Sequence, residues 1–134
     1  MIESAEQFIE LRLSTDQADY HRAAHDEAPF AVWHRVIEVY PSFRFWVAQN
    51  KTVPVEILEV LSEDPDPDVR GMVARKRKLP EHLQLKLAAD HDVTVRSGIA
   101  WNAKATKAVL EYLAHDVEPA IRKKVRERLH HKLS

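Results

Sequence analysis

The chain has 134 residues, 45% of them apolar and 31% charged, with two glycines, seven prolines and no cysteine. That length suits one continuous core, and the composition is that of a globular, helix-leaning chain, not a disordered or strand-rich one; without cysteine, disulfides, thiolate zinc sites, iron–sulfur clusters and cysteine nucleophiles are excluded. The net charge of −1 conceals halves of −9 (residues 1–68) and +8 (residues 69–134), which would steer differently charged partners.

Residues 1–10 lack the basic start and unbroken apolar core of a secretory signal, and nowhere do eighteen apolar residues run together. A cytoplasmic protein without membrane contact is the expectation. Ser4-x-x-Gln7 and Ser14-x-x-Gln17 have capping-box spacing and predict the starts of two N-terminal helices. His21 and His25 lie four apart, a metal-ligand spacing on a helix, but no third ligand can be placed and the H-E-x-x-H signature is absent. No metal and no cofactor are therefore expected. Seven of the ten aromatic residues fall between 20 and 46, namely Tyr20, Phe30, Trp33, Tyr40, Phe43, Phe45 and Trp46, and are expected mostly in the core of a terminal cap.

From residue 43 the chain repeats every 26 residues. Arg44, Arg70, Arg96 and Arg122 are one period apart, as are Phe43, Val69, Val95 and Ile121 before them and Val47, Val73, Ile99 and Val125 after them. Ile57, Leu83 and Val109 share a column, as do Leu61, Leu87 and Leu113, and Asp64, Asp90 and Asp116. With a shift of 25, Ala23, Pro29, Val32 and Val36 match Ala48, Pro54, Ile57 and Leu61, so a degenerate unit precedes the clear ones. Each unit reads as two helices. The first is short, with Asp68 or Thr94 placed to cap it; the second opens near Pro54, Pro80 or Thr106, where proline's missing N–H costs nothing. The organisation expected is one domain: a cap over 1–42, tandem units over 43–129, the last without a second helix, and a tail over 130–134 that includes His130 and His131.

The run Asp66-Pro-Asp-Val-Arg-Gly-Met-Val-Ala-Arg-Lys-Arg-Lys-Leu-Pro80, followed by Leu83 and Leu87-Ala-Ala-Asp90, resembles the leucine-rich repeat variant family, which is similar to HEAT repeats. The likeness covers about residues 43–129, with Lys76 where Asn50 and Asn102 occupy the same column and Thr106 in place of proline. It implies an all-α, right-handed helical-repeat solenoid (an α-α superhelix) whose lateral surfaces bind a partner.

Four candidate features follow from the columns. The Arg44, Arg70, Arg96, Arg122 series, with Asp64, Asp90 and Asp116 at the same period, reads as a structural ladder ahead of a phosphate-binding stripe. Trp101 shares its column with Gln49, Arg75 and Glu127, and Trp46 shares one with Met72, Gly98 and Lys124, so both rings are expected on variable faces. Trp46, Arg75, Trp101 and Lys104 are accordingly the expected contacts to a protein partner, and Gly71 and Gly98 would either open a groove beside Trp101 or permit tight packing. Arg75, Lys76, Arg77, Lys78, Lys104, Lys123 and Lys124 form an alternative nucleic-acid surface with Trp101 as a stacking ring. No nucleophile–base set, glycine-rich phosphate loop or convergent carboxylate pair can be assembled, so no enzymatic activity is expected. The open end of the last unit would leave a surface for a second copy, and the sequence does not specify an oligomeric state.

Overall fold

A computed structural model describes the backbone of residues 1–133 and the side chains of residues 1–131. The described residues are all-α: ten helices and no strand among them. They divide into two compact units, Met1–Leu61 and a second beginning at Ser62.

The first unit contains α1 (Ala5–Leu13), α2 (Gln17–His25), α3 (Phe30–Val39), α4 (Arg44–Gln49) and α5 (Val55–Leu61), with a 3₁₀ turn at Pro41–Phe43. Ser4 starts α1 as expected, its hydroxyl accepting from the Gln7 N–H while the Gln7 side chain accepts from Glu3 N–H. The start of α2 differs from expectation. Asp16, not Ser14, caps it, because Ser14 ends α1 and spends its hydroxyl on Asp16 N–H and on the Asp19 carboxylate. α3 and α5 each begin directly after a proline, Pro29 and Pro54, as the 25-residue offset implies. Of the seven clustered aromatics only Trp33 is in the core, where it meets Phe8 edge-on at 5.1 Å; Tyr20 and Phe30 are about half exposed and the other four half-buried. The expectation of a mostly buried cluster is thus overturned, since Ile2, Phe8, Val32, Val36, Ile57 and Leu61 fill the interior.

The second unit contains α6 (Pro67–Ala74), α7 (Glu81–Ala88), α8 (Val93–Ala100), α9 (Lys107–Leu113) and α10 (Pro119–Leu133). Short helices α6 and α8 are capped two residues earlier than expected, by Asp66 and Asp92, whose carboxylates accept from Asp68 N–H at 2.9 Å and Thr94 N–H at 2.8 Å. A further carboxylate lies upstream each time: Asp64 accepts from Asp66 N–H and Asp90 from Asp92 N–H, so each Asp-x-Asp pair rigidifies the turn before it caps the helix. α10 has no breaker after Leu129 and runs on through His130 and His131, where a tail was expected. Val69, Val73, Val95, Ile99, Ile121 and Val125, all one-period partners, are buried, as are Leu83, Leu87, Val109 and Leu113.

The two glycines face opposite situations. A Cβ on Gly98 would sit 2.9 Å from the Ala74 Cβ and 3.4 Å from the Gly71 carbonyl, so Gly98 is what lets α8 approach α6; around Gly71 nothing lies within 4 Å. Gly71→Ala is expected to stabilise the chain by about 0.5–1 kcal/mol through helix propensity, whereas Gly98→Ala forces two rigid helices apart and costs on the order of 1–3 kcal/mol before that gain. Paired thermal melts check the opposite signs, and equal shifts would show that α6 and α8 are not closely packed.

Candidate functional site

The arginines of the second unit sort into two populations. Two ladder members, Arg70 and Arg96, are fully engaged. Arg70 donates through Nε and Nη2 to both oxygens of Asp90 (2.8 and 3.2 Å) and through Nη1 to the carbonyls of Asp64 and Pro65; Arg96 repeats the pattern with Asp116 (2.8 and 3.3 Å) and the carbonyls of Asp90 and His91. Arg122 donates to the Asp116 carbonyl and, in the first unit, Arg44 to the Ile37 carbonyl. With Arg70 7% exposed, the Arg70 and Arg96 guanidiniums tie α6 and α8 to the turns around them and have little left for a polyanion.

The second population is unpaired. Arg75, Arg77, Lys78, Lys104 and Lys123 are exposed and make no ion pair or hydrogen bond through their side chains among the described residues. Lys76 is half-buried and has partners of its own. Arg75 ends α6 and Trp101 ends α8. Because successive short helices pack side by side at Gly98, these two C-caps fall together, and with Arg77, Ser97, Gly98, Asn102 and Ala103 they line a depression of about 550 Å³. No carboxylate lines it. The Trp101 ring is 53% exposed, and Lys124 of α10 lies 5.6 Å from its centroid. Gly98 therefore packs tightly against α6 and also lines the depression beside Trp101, so the two alternatives do not exclude each other there.

Asn102 holds the floor. Its Nδ2 donates to the carbonyls of Ala74 (2.8 Å) and Lys76 (2.9 Å), and its Oδ1 accepts from Lys104 N–H, which fixes the end of α6 against the turn after α8. In the first unit Asn50 does the same for α2, donating to the carbonyls of Ala23 and Asp26 and accepting from Thr52 N–H. Arg128 closes the end of α8 by donating to the Ala100 carbonyl at 2.7 Å, and burial holds its guanidinium below the ordinary arginine value. Lys104 contributes its backbone here and is not among the residues that line the depression.

Trp46 is not part of this site. It lies in the first unit with the Arg12 guanidinium 3.5 Å over its ring and Phe45 edge-on at 4.8 Å. Arg12, with the Tyr20 ring at 4.3 Å from its Cζ, had no column in the repeat and so carried no sequence signal; Gln84 did have one, breaking the apolar column of Leu58 and Leu110, and its buried amide donates to the carbonyls of Leu79 and Lys104 and accepts from Thr106 N–H. His21 and His25 stack on each other at 4.0 Å, His25 donating to the His21 carbonyl, and no group of three His, Asp or Glu placed to hold a metal occurs among the described residues. No helix among the described residues is long and apolar enough to cross a membrane. No protein-family profile, curated protein or solved structure matches this chain.

Proposed function

We propose that the chain is a non-catalytic binding module, a right-handed helical-repeat solenoid of 26-residue units of the HEAT-like kind, which holds a partner protein through the Arg75–Trp101 depression. The observation that carries this reading is an exposed tryptophan at the mouth of a depression lined by arginines and free of carboxylates. Tryptophan and arginine are the residue types that dominate binding energy at protein interfaces, and the volume is that of a site for one anchoring side chain with its neighbours. The solenoid reading is supported by the recurrence of one bond set at a 26-residue offset, Arg70 with Asp90 and Arg96 with Asp116. Charge complementarity selects an acidic partner segment, because Arg75, Arg77, Lys78 and Lys104 have no carboxylate of their own.

A second reading, single-stranded nucleic acid, is favoured by those same unpaired cations beside a stacking ring. One set of measurements separates the two. Host proteins captured by the wild type should include one that Trp101→Ala and Arg75→Ala each lose at least about tenfold, with Tm unchanged, as expected for hot-spot truncation. Fluorescent DNA and RNA oligonucleotides should show no anisotropy change at low salt. Salt-sensitive oligonucleotide binding in the micromolar range, lost in Trp101→Ala, would replace the protein-partner reading with the nucleic-acid one.

A further inference from the structure

The Arg12 side chain is an anomaly of the first unit. It is 7% exposed, yet its charge meets no carboxylate and its nitrogens meet no hydrogen-bond acceptor among the described residues. What holds it is π-density: Cζ lies over the Trp46 ring at 3.5 Å and over the Tyr20 ring at 4.3 Å. Ring faces attract the cation but accept none of its in-plane N–H groups well, and a buried charge ordinarily takes a partner for those donors. Nε is enclosed without an acceptor, whereas Nη1 and Nη2, equally without one, are not enclosed and reach the surface. The fork is thereby stripped of part of its hydration and faced by two rings, with its terminal nitrogens the part that is not fully enclosed.

We propose that Tyr20, Arg12 and Trp46 form a carboxylate-binding slot that receives an acidic side chain of a partner polypeptide. A planar carboxylate matches the edge of a guanidinium with two parallel N–H···O bonds and can lie in its plane beside the two rings, Tyr20 being about half exposed and Trp46 half-buried. Carboxylate is favoured over phosphate on shape and on charge. A tetrahedral dianion is thicker than the slot's plane, and it is repelled more strongly by a segment with 14 Asp/Glu against 5 Lys/Arg in residues 1–68. The slot is in a different unit from the Trp101 depression and does not rest on the function proposed for that depression.

The test uses the full chain and acetate as the probe, at constant ionic strength against sodium chloride. In ¹⁵N-resolved spectra the Arg12 Nε–H resonance should shift saturably, with a midpoint on the order of 1–10 mM, the range open to so small a ligand. Trp46 emission should follow the same curve, and Tyr20→Leu should move the midpoint up at least about threefold. Arg12→Lys, which keeps the charge but loses the fork, should abolish the emission change, while Trp101→Ala should leave it untouched. A shift that chloride reproduces, one that rises linearly without saturating, or a tighter response to inorganic phosphate would overturn the assignment. A response lost in Trp101→Ala would do the same by placing the anion elsewhere.

Discussion

Arg70→Ala should destabilise the protein by about 3–5 kcal/mol, with a fall in Tm on the order of 10–20 °C. Removing the guanidinium leaves the Asp90 carboxylate, 9% exposed, without its bidentate partner, and leaves the carbonyls of Asp64 and Pro65 without a donor. The intact pair contributes far less than this loss, because most of the cost lies in the stranded charge. Arg70→Lys should recover only part of it, since a single ammonium cannot span Asp90 and two carbonyls at once. Arg96→Ala acts by the same mechanism on Asp116, whose side chain is 7% exposed, so its loss should be comparable.

The pH dependence of that loss has a definite sign. Burial pushes the Asp90 carboxyl up, but hydrogen bonds from Arg70 and from Asp92 N–H, with the Arg70 charge, outweigh it and hold the group below the ordinary aspartate value. A group lowered on folding stabilises the protein above its unfolded pKa, about 4, and that contribution disappears as pH falls through the folded value. In Arg70→Ala burial is opposed only by the Asp92 N–H and the more weakly acting His91, so the carboxyl protonates at higher pH and the variant's deficit should narrow on acidification. Denaturant melts at pH 7 and near pH 4 check both statements. An equal deficit at the two pH values would mean that lost packing, not stranded charge, explains the effect.

Which parts of this molecule were legible in its sequence follows from which forces are periodic. The ladder could be read because Arg and Asp must recur wherever the same turn is tied to the same helix, and the helix starts after Pro29, Pro54 and Pro80 could be read because proline marks a first turn by its own geometry. The caps were displaced by two residues because Asp64-Pro65-Asp66-Pro67-Asp68 offers three equivalent carboxylates; only the fold shows that the first serves the turn and the second the helix. Trp101 announced itself by interrupting a polar column, and the depression beside it required Gly98 to bring two C-caps together. Arg12 was hidden for the opposite reason. It precedes the repeat, its partners are ring faces eight and thirty-four positions away, and an arginine next to apolar residues on an amphipathic helix reads as solvated. The aromatic cluster misled because composition counts ring area without saying which side of the cap is already filled by aliphatic residues.

Asn102→Ala should cost about 2–4 kcal/mol, a large effect for an uncharged side chain. The residue is 5% exposed and bonds two carbonyls and one N–H: the end of α6 at Ala74, the turn at Lys76, and the start of the next turn at Lys104. The Ala74 carbonyl loses this partner where it is buried, and the Lys76 carbonyl and Lys104 N–H lose it where they are part-buried. Asn102→Asp is the sharper variant. It keeps the volume and the bond to Lys104 N–H, but turns the Nδ2 donor into an oxygen facing two carbonyl oxygens, so at neutral pH it should lose more than Ala does. Protonating that carboxyl restores one donor, so the Asp variant alone should gain stability as pH falls toward 5, while the Ala variant stays flat. Because Asn102 also lines the depression, the Ala variant should weaken partner binding in proportion to its loosening of Arg75 and Trp101. If binding fails while Tm is unchanged, Asn102 contacts the ligand directly and is not the floor of the site. If Tm falls and binding at low temperature survives, the depression keeps its shape without this bridge, and the positioning of the two C-caps must come from the Gly98–Ala74 contact alone.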